Sequence, residues 1–316
     1  MRALLAQLPA SFPAPVLIVQ HLSPSSNASA VAQVIQRDTP LPCQVATHQE
    51  RMQPGHVYVA PPDRHLLVRD GHMLVVNGPH ENRYRPAADA LFRSAAVDFG
   101  ARTVGIVLTG MLFDGTAGLD FIKRCGGTAL VQTPADAEFP SMPESALSQV
   151  DIDYAVPIAS MGHLLVELMK RPLPPIVPIP EDLRREAAIA ERSVGNIEAV
   201  ADLGHQVPLT CPDCGGVLWE MEHGQVPRYR CHTGHAFTAD WLLDASRSNL
   251  EETLWVALRM MEERKNLLVS MSIPAGGTAM AQQQAERVDE LKQHVNRLRE
   301  FLLDSSNTAN EEMRAE

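Results

Sequence analysis

The segment 104–118 is the feature that most constrains the fold. Its first five residues, Val104 to Leu108, form a short apolar run rich in β-branched side chains, which is typical of a fully buried parallel strand. A Thr-Gly pair ends the run and two glycines flank the start of a helix, so Asp114 lies in a tight loop at the carboxyl end of the strand. Ligands and catalytic groups collect at this edge of open α/β sheets. A helix N-cap is the alternative role for Asp114.

The same alternation of strand and helix continues through the first 170 residues. Predicted strands are 15–19, 55–60, the two arms of an Asp70-Gly71 hairpin within 66–76, 104–108, 128–132 and 152–156. Predicted helices are the end of one over 1–8, then 25–37, 87–99, about 116–125, 142–149 and 161–169. This alternation predicts an α/β fold with a doubly wound, mostly parallel sheet.

His21 lies at the carboxyl end of the strand 15–19, the same kind of position as Asp114. Two such ends on neighbouring strands would bring an imidazole and a carboxylate together, although a capping or partly buried histidine is the alternative. Arg83 and Arg85 lie in a basic loop that enters the helix 87–99. They are candidates for binding a carboxylate or phosphate of a substrate, and solvated loop arginines are the alternative.

Composition excludes several classes of protein. The 316 residues carry a net charge of −11 with scattered Lys and Arg, which argues against a nucleic-acid partner. No apolar run approaches the roughly 20 residues that a membrane span needs, so we expect no membrane insertion. Five cysteines are an odd number, and three of them lie between positions 211 and 231. This distribution favours reduced thiols in a cytoplasmic protein over a disulfide framework.

Five prolines within 171–180 predict an extended linker. We therefore expect an α/β domain over 1–170, the linker 171–180, a helix and metal module over 181–237, a helical hairpin over 238–304 and a disordered tail over 305–316. Apolar residues recur at three-and-four spacing in both hairpin helices, which indicates an antiparallel pair packed along a seam. An ordinary hairpin core and a surface that docks a chemosensory partner are both compatible with this pattern.

The metal module contains Cys211-Pro-Asp-Cys214 and, after a short predicted hairpin, Cys231-His-Thr-Gly-His235. This is the spacing of a zinc ribbon, and we assign Cys211, Cys214, Cys231 and His235 as ligands of a structural Zn²⁺. His232 is the alternative fourth ligand, but its position next to Cys231 would require a cramped chelate. Unliganded thiols or a redox Cys-x-x-Cys pair are the other alternative.

Three segments of the N-terminal part stand out by their order and spacing: Gln20-His21, Asn82-Arg-x-Arg-Pro86 and Thr109-Gly-Met-x-x-Asp-Gly-x-x-Gly118. Together they resemble the catalytic domain of the CheB family, the chemotaxis protein-glutamate methylesterases. The segments 55–61 and 142–146 strengthen the resemblance, which covers about residues 1–170.

The resemblance implies a Ser–His–Asp hydrolase that removes methyl groups from glutamyl methyl esters on chemoreceptors, with glutamine deamidation as a second activity. By motif position, His21 is the general base, Asp114 orients it, and the backbone around Gly110 and Met111 stabilises the oxyanion. Catalysis by this route needs no cofactor. Leu112 and Phe113 stand where the family pattern has a small and a polar residue, so this wall of the site is bulkier and more apolar.

The resemblance also implies a nucleophilic serine in a Gly-x-Ser-x-Gly-Gly turn that follows the first strand. No Gly-x-Ser-x-Gly occurs in these 316 residues. Ser23, Ser25 and Ser26 follow His21, which is the wrong loop by family order. We expect the first strand and the serine to lie upstream of Met1, and the chain as given to be impaired as an enzyme. An inactive descendant of the enzyme is the alternative.

Two functions therefore compete. The first is a protein-glutamate methylesterase of a chemosensory pathway that acts on methylated chemoreceptor-type proteins and carries a zinc-ribbon and helical-hairpin adaptor. The second is a non-catalytic chemosensory adaptor that retains the hydrolase scaffold for binding. The order of the catalytic motifs favours the enzyme.

Overall fold

The structure is a computed structural model that describes residues 1–172, 175, 177–192, 197–271 and 278–315. The chain divides into two compact units, Met1–Leu242 and Leu243–Glu316. Among the described helices, none combines the length and the apolar character needed to cross a membrane.

Strands and helices alternate along the first 170 residues, as the sequence predicts. In chain order they are α1 (Arg2–Leu5), β1 (Val16–Ile18), α2 (Ala28–Gln36), β2 (Cys43–Val45), β3 (Val57–Val59), β4 (His65–Arg69), β5 (His72–Val76), α3 (Ala88–Phe99), β6 (Val104–Val107), α4 (Thr116–Arg124), β7 (Thr128–Gln132), α5 (Ser141–Gln149), β8 (Tyr154–Val156) and α6 (Ile158–Lys170). Sequence analysis missed β2, because its Cys-Gln-Val is too short and too polar to form an apolar run.

The predicted parallel-sheet α/β class is confirmed, but the strands form two parallel sheets instead of one. The first has the order β1-β3-β2 and the second β6-β7-β8, so β1 and β6 are edge strands among the described residues. Side-chain packing joins the two sheets, since Ile18, Val57 and Leu130 belong to one hydrophobic cluster. Buried apolar surface can hold two sheets together without a strand ladder between them.

The hairpin of β4 and β5 is antiparallel and turns at Asp70-Gly71, as predicted. Both turn residues have positive φ, 51° and 71°, which is the geometry that an Asp-Gly pair favours in a two-residue hairpin turn. The hairpin packs on α3, where Ser94 accepts a hydrogen bond from the Val68 amide at 3.0 Å. This contact fixes the middle of α3 against the hairpin.

After the linker the chain forms α7 (Glu181–Arg192), α8 (Ile197–Ala201) and four antiparallel strands: β9 (Gly204–Thr210), β10 (Val217–Met221), β11 (Arg228–Cys231) and β12 (Ala236–Thr238). We call residues 204–238 the ribbon. The sequence predicts only its central hairpin, and β9 and β12 are additions that depend on tertiary pairing. It also predicts one helix over 181–200, whereas the structure has two, with 193–196 outside the described residues.

The sequence predicts an α/β domain and a separate metal module, and both lie in the first compact unit. A buried charge cluster joins them: Glu81 and Arg93 come from the α/β part, and Glu186, Arg228 and Arg230 come from α7 and the ribbon. Glu186 accepts hydrogen bonds from Arg228 at 2.6 and 2.7 Å and lies 3.6 Å from Arg93. Buried charges are stable only when paired, so these contacts hold the ribbon against α3.

The second unit contains the remainder of α9 (Ala239–Met271) and all of α10 (Thr278–Ala315). Leu258, Val295 and Leu302 are buried in a seam between the two helices, and Glu262 pairs with Arg299 at 2.9 Å. The connection between the two predicted hairpin helices, which the sequence Ile-Pro-Ala-Gly-Gly-Thr over 273–278 predicts as a break, falls mostly on 272–277, outside the described residues. The structure continues α10 to Ala315, where the sequence predicts a disordered tail from 305, because Ala, Glu, Met and Arg near the end are good helix formers.

Candidate active site

The structure brings His21 and Asp114 into contact. His21 follows β1 and Asp114 follows β6, and Nε2 of the histidine lies 2.7 Å from Oδ2 of the aspartate. The Asp114 side chain is completely buried, whereas the His21 side chain is 27% exposed. A buried acid thus holds an imidazole whose other face reaches solvent, which is the arrangement that a general base requires.

Asp114 does not cap α4 as the alternative interpretation held, because the N-cap of that helix is Gly115 with φ of 96°. Its carboxylate instead accepts the backbone N–H groups of Ala88 at 2.6 Å and Asp89 at 3.1 Å, at the start of α3. Backbone donors at a helix N-terminus stabilise negative charge. These two amides therefore fix the orientation of the Asp114 carboxylate against the imidazole.

The hydrogen bond assigns the two ring nitrogens of His21. A carboxylate only accepts hydrogen bonds, so Nε2 carries the proton and Nδ1 carries the lone pair of the neutral ring. No other described residue forms a hydrogen bond with the His21 ring. Nδ1 is thus the nitrogen that can receive a proton from a substrate or nucleophile.

Tyr84 is a site residue that sequence analysis missed. Its ring stacks on the His21 imidazole with the ring centroids 3.7 Å apart and an interplanar angle of 3°. Burial and the nearby charge of Asp114 raise the pKa of the Tyr84 hydroxyl, so the ring stays neutral. The segment 82–86 was singled out for its arginines, and the tyrosine between them was the available signal.

Asp89 is a second buried acid that the sequence did not single out. It accepts hydrogen bonds from the Gly115 and Gly118 amides at 2.9 and 2.6 Å and from the Asn82 side chain at 2.9 Å. Burial and the charge of Asp114 raise its pKa well above the usual range. Asp89 thereby connects the loop after β6 to the turn that carries Tyr84.

Gly110 and Met111 form the exposed wall of the site. The amide of Gly110 donates to the Phe139 carbonyl at 2.9 Å, and the amide of Leu112 donates to Ser141 at 3.0 Å. Among the described residues the Met111 amide has no hydrogen-bond acceptor, and its side chain is 62% exposed. A Cβ at Gly110 would collide with Sδ of Met142, so a larger residue here would require the Met142 side chain to move. Among these three neighbouring amides of the described chain, only that of Met111 has no acceptor within the protein.

The two candidate substrate arginines already have partners within the protein. Arg85 is mostly buried and binds Asp63 through Nε at 3.0 Å and the Gly78 carbonyl through Nη1 at 2.8 Å. Arg83 is 55% exposed, donates through Nε to Asp213 at 3.3 Å and lies over the Trp241 ring. Arg85 therefore stabilises the loop, and Arg83 contacts the ribbon.

The four predicted metal ligands lie together. One ligand atom from each of Cys211, Cys214, Cys231 and His235 falls within 4.8 Å of the others. The sulfur atoms of Cys214 and Cys231 are 3.8 Å apart. Nδ1 of His235 lies 3.7 Å from the sulfur of Cys211 and 3.4 Å from the sulfur of Cys231. Zn–S bonds of about 2.3 Å place the corners of a tetrahedron about 3.8 Å apart.

Hydrogen bonds also link the ligand side chains to one another. The hydrogen bond with Cys211 lowers the pKa of Cys231, whereas the hydrogen bond with Cys231 raises the pKa of Cys211 and raises the pKa of His235 to about 9. The alternative ligand His232 is absent from the group, and its ring packs edge-on against Trp219. The four side chains of the group thus offer three thiols and one imidazole, the donor types that structural Zn²⁺ takes.

A family model described as CheB methylesterase matches residues 1–165, slightly more than half of the chain. The chain belongs to the CheB methylesterase family. A relative from Leptospira interrogans is 34% identical over 169 residues, which cover 53% of this chain and 87% of the relative. The Burkholderia lata protein named protein-glutamate methylesterase/protein-glutamine glutaminase 3 is 40% identical over 167 residues, which cover 52% of this chain and 46% of that protein.

Among solved structures, the crystal structure of the Thermotoga maritima CheB methylesterase catalytic domain matches with a TM-score of 0.51 and 31% identity. The match covers 53% of this chain and 90% of that domain. His21, Tyr84 and Asp114 all lie within the part that the CheB family model matches, whereas the ribbon lies outside it.

Proposed function

We propose that this CheB-family protein hydrolyses glutamyl methyl esters on chemoreceptor-type proteins, releasing methanol, and deamidates glutamines at equivalent positions. The observation that carries the proposal is the 2.7 Å contact between partly exposed His21 and fully buried Asp114. The names of the relatives support the substrate class.

In the proposed reaction, Nδ1 of His21 takes the proton of a serine hydroxyl as its oxygen attacks the ester carbonyl. The proton then passes to the departing methoxide, and methanol leaves an acyl-enzyme. Water repeats the sequence, with His21 again as base, and releases the free carboxylate. Asp114 balances the imidazolium charge in both steps. We place the serine in a Gly-x-Ser-x-Gly-Gly turn encoded ahead of Met1.

The oxyanion of each tetrahedral intermediate needs preoriented N–H donors. We assign the Met111 amide to this role, because the neighbouring amides of Gly110 and Leu112 already donate to Phe139 and Ser141.

The test begins with the in-frame codons upstream of Met1 and continues with the protein that they encode. We expect methanol release from methylated receptor, abolished by His21→Ala. Asp114→Asn should lower kcat by about 10⁴-fold, because the wrong tautomer of His21 is then favoured. An upstream stop codon, or no turnover by the extended protein, would contradict the proposal and favour the non-catalytic adaptor.

We also propose that Cys211, Cys214, Cys231 and His235 bind one structural Zn²⁺. The support is the separation of their ligand atoms and the donor set of three thiols and one imidazole. Four protein ligands close the coordination sphere, so the metal would stabilise the ribbon and take no part in hydrolysis.

Metal analysis of the purified protein tests the zinc site and its fourth ligand together. We expect one zinc per chain, retained in His232→Ala and lost in Cys214→Ser and His235→Ala. Equal zinc content in all four proteins would contradict the assignment.

For the second unit we propose a role in docking a chemosensory partner. Val256, Met260 and Leu267 lie on one face of α9 by their spacing and are 44%, 60% and 60% exposed. Leu267→Glu should weaken capture of that partner without changing the helical circular dichroism. Loss of helix, or undiminished capture, would contradict this role.

A further inference from the structure

The Glu81–Tyr84 turn connects the ribbon to the candidate active site. Glu81 and Tyr84 exchange backbone hydrogen bonds of 3.2 and 2.8 Å across the turn, and its central residues Asn82 and Arg83 both have positive φ, 47° and 62°. Asparagine tolerates this left-handed conformation, whereas arginine adopts it only where its surroundings enforce it. The turn therefore depends on contacts from outside itself.

The ribbon supplies those contacts through β12. Asn82 donates its amide to the Ala236 carbonyl at 2.8 Å, and its side-chain oxygen accepts the Thr238 amide at 3.0 Å. Its side-chain nitrogen donates to Asp89 in the α/β part at 2.9 Å. Asn82 is 2% exposed, so these bonds are shielded from water. The turn thus extends the ribbon sheet at its β12 edge.

Asp213 provides a second connection, directly from the metal cluster. It lies between the ligands Cys211 and Cys214, and its Oδ1 accepts the Arg83 Nε–H at 3.3 Å. Its Oδ2 is buried, has no hydrogen-bond partner in the described part of the chain, and lies 4.0 Å from Nε2 of His235. When His235 binds a metal through Nδ1, its Nε2–H is free to approach this oxygen, as carboxylates commonly do behind a metal-bound histidine.

Resting on the two proposals above, we infer that metal binding in the ribbon sets the position of the Glu81–Tyr84 turn and, through the Tyr84 ring, of the catalytic His21. Asp213 is the positioning residue that links the metal ligand His235 to Arg83. An ordered active site would then require the metal site. The metal site lies in the ribbon, beyond residues 1–165 that the CheB family model matches.

The route is short and continuous. A cation at the cluster would fix His235, which lies beside Asp213. Asp213 binds Arg83, the neighbour of Tyr84 in the sequence. Tyr84 in turn covers one face of the His21 ring. His80, which together with Asp213 and His235 forms a second close group of possible ligands, flanks the same carboxylate from the α/β side. Loss of the metal would release His235, and with it the contact that positions Asp213 and Arg83.

The experiment follows the His21 ring resonances by NMR in the full-length protein, alongside zinc content. The probe is zinc itself, removed with a chelator and restored as Zn²⁺. We expect removal to shift and broaden the His21 resonances, because the ring current of Tyr84 is lost, and restoration to reverse the change. His21 resonances that are identical with and without zinc would overturn the inference.

Two variants separate transmission from loss of the ribbon fold. Asp213→Ala and Arg83→Ala should keep one zinc per chain yet shift the His21 resonances, and lower kcat by about two- to fivefold with KM little changed. Glu222→Ala, an exposed carboxylate of the same ribbon, is the matched control and should leave both readouts unchanged. Zinc-loaded Asp213→Ala and Arg83→Ala with wild-type resonances would overturn the role of Asp213.

The outcomes distinguish this inference from the proposals beneath it. A protein that neither contains nor takes up zinc refutes the metal site and the coupling together. A protein that shows the NMR changes but releases no methanol supports the coupling and refutes the esterase.

Discussion

Single side chains determine the orientation of the candidate general base. Asp114 binds one nitrogen of His21, and Tyr84 covers one face of the ring, so rotation about both side-chain bonds of the histidine is restrained. Because the ring is already held in the folded protein, Nδ1 keeps one direction. No entropy is then lost in ordering the imidazole during the reaction.

The stacking contact predicts different effects of two substitutions at Tyr84. Tyr84→Phe keeps the ring and should change kcat by less than about twofold. Tyr84→Ala removes a ring pair worth about 0.5–1.5 kcal/mol and should lower kcat by up to about tenfold. Steady-state methanol release measures both, and equal kcat values for the two variants would contradict a role for stacking.

His65 stabilises the segment that leads into α3 and predicts a pH dependence. It is 3% exposed, its Nε2 donates to the Pro79 carbonyl at 2.8 Å, and its Nδ1 accepts the Ala87 amide at 3.3 Å, so the ring is neutral. Burial is the main cause that lowers its pKa below 6.5. As the pH falls, the unfolded chain therefore binds a proton at His65 before the folded protein does. The stability that neutral His65 contributes is complete above pH 6.5 and is lost as the pH falls through the pKa of His65 in the folded protein.

Urea unfolding between pH 8 and 5 measures this effect. As the pH is lowered over this range, the free energy of unfolding should decrease in total by about 1.4 kcal/mol for each unit by which folding lowers the pKa of His65. His65→Asn should show a smaller slope over the same interval. Parallel slopes for the two proteins would assign the pH dependence to other groups.

At the scale of elements, the start of α3 organises the candidate site. Its first amides bind Asp114, and Asp89 in its first turn binds the two glycine amides of the loop after β6. Arg93 on the same helix reaches the buried cluster with Glu81. One helix therefore positions Asp114 of the candidate site, the β6 loop and the ribbon.

Burial alone would raise the pKa of Glu81, but the charges of Arg93 and Arg230 outweigh it and lower the pKa to about 2. Glu186 is held as an anion in the same way by Arg228, Arg230 and Arg93. Both carboxylates are thus ionised where α7 and the ribbon meet α3.

Removing one of these charges should destabilise the first unit strongly. Glu186→Gln leaves Arg228 and Arg230 buried without their anion, and we expect a loss of about 3–5 kcal/mol in the free energy of unfolding. Glu181→Gln, on the exposed side of the same helix, is the control and should change it by less than about 0.5 kcal/mol. Urea titration of the two variants is the measurement, and equal stabilities would contradict the structural role of the cluster.

At the scale of the whole molecule, the CheB-family domain and the ribbon form one unit, while most of the helical pair forms another. The ribbon shares a small hydrophobic cluster with the helices before it, in which Trp219 and Met221 pack with residues of α7 and α8. Zinc binding would add its free energy to the folding of the first unit.

Zinc removal should therefore lower the melting temperature of the first unit, by about 2–4 °C for each kcal/mol lost. Scanning calorimetry with and without chelator measures the change. Cys214→Ser should reproduce it, whereas Cys43→Ser, a half-buried cysteine outside the ribbon, should still respond to the chelator. A melting temperature that the chelator leaves unchanged would contradict a structural metal.

The sequence predicted the order and type of nearly every element before 170, because apolar runs and turn residues are local signals. It also predicted His21, Asp114 and the four clustered ligands, since each lies in a motif with defined spacing. It did not predict Tyr84, Asp89 or Asp213, because their roles come from contacts between segments up to 156 residues apart, such as that of Asn82 with Thr238.

By itself, then, the sequence determined the α/β class, the family and which side chains are candidates for catalysis and metal binding. Only the tertiary structure decided that the 2.7 Å contact with Asp114 uses Nε2 of His21, that Tyr84 covers its ring, and that the ribbon lies in the same compact unit as the CheB-family domain. The reason is physical: motif spacing follows the chain, whereas burial of charges and stacking of rings depend on which distant surfaces meet.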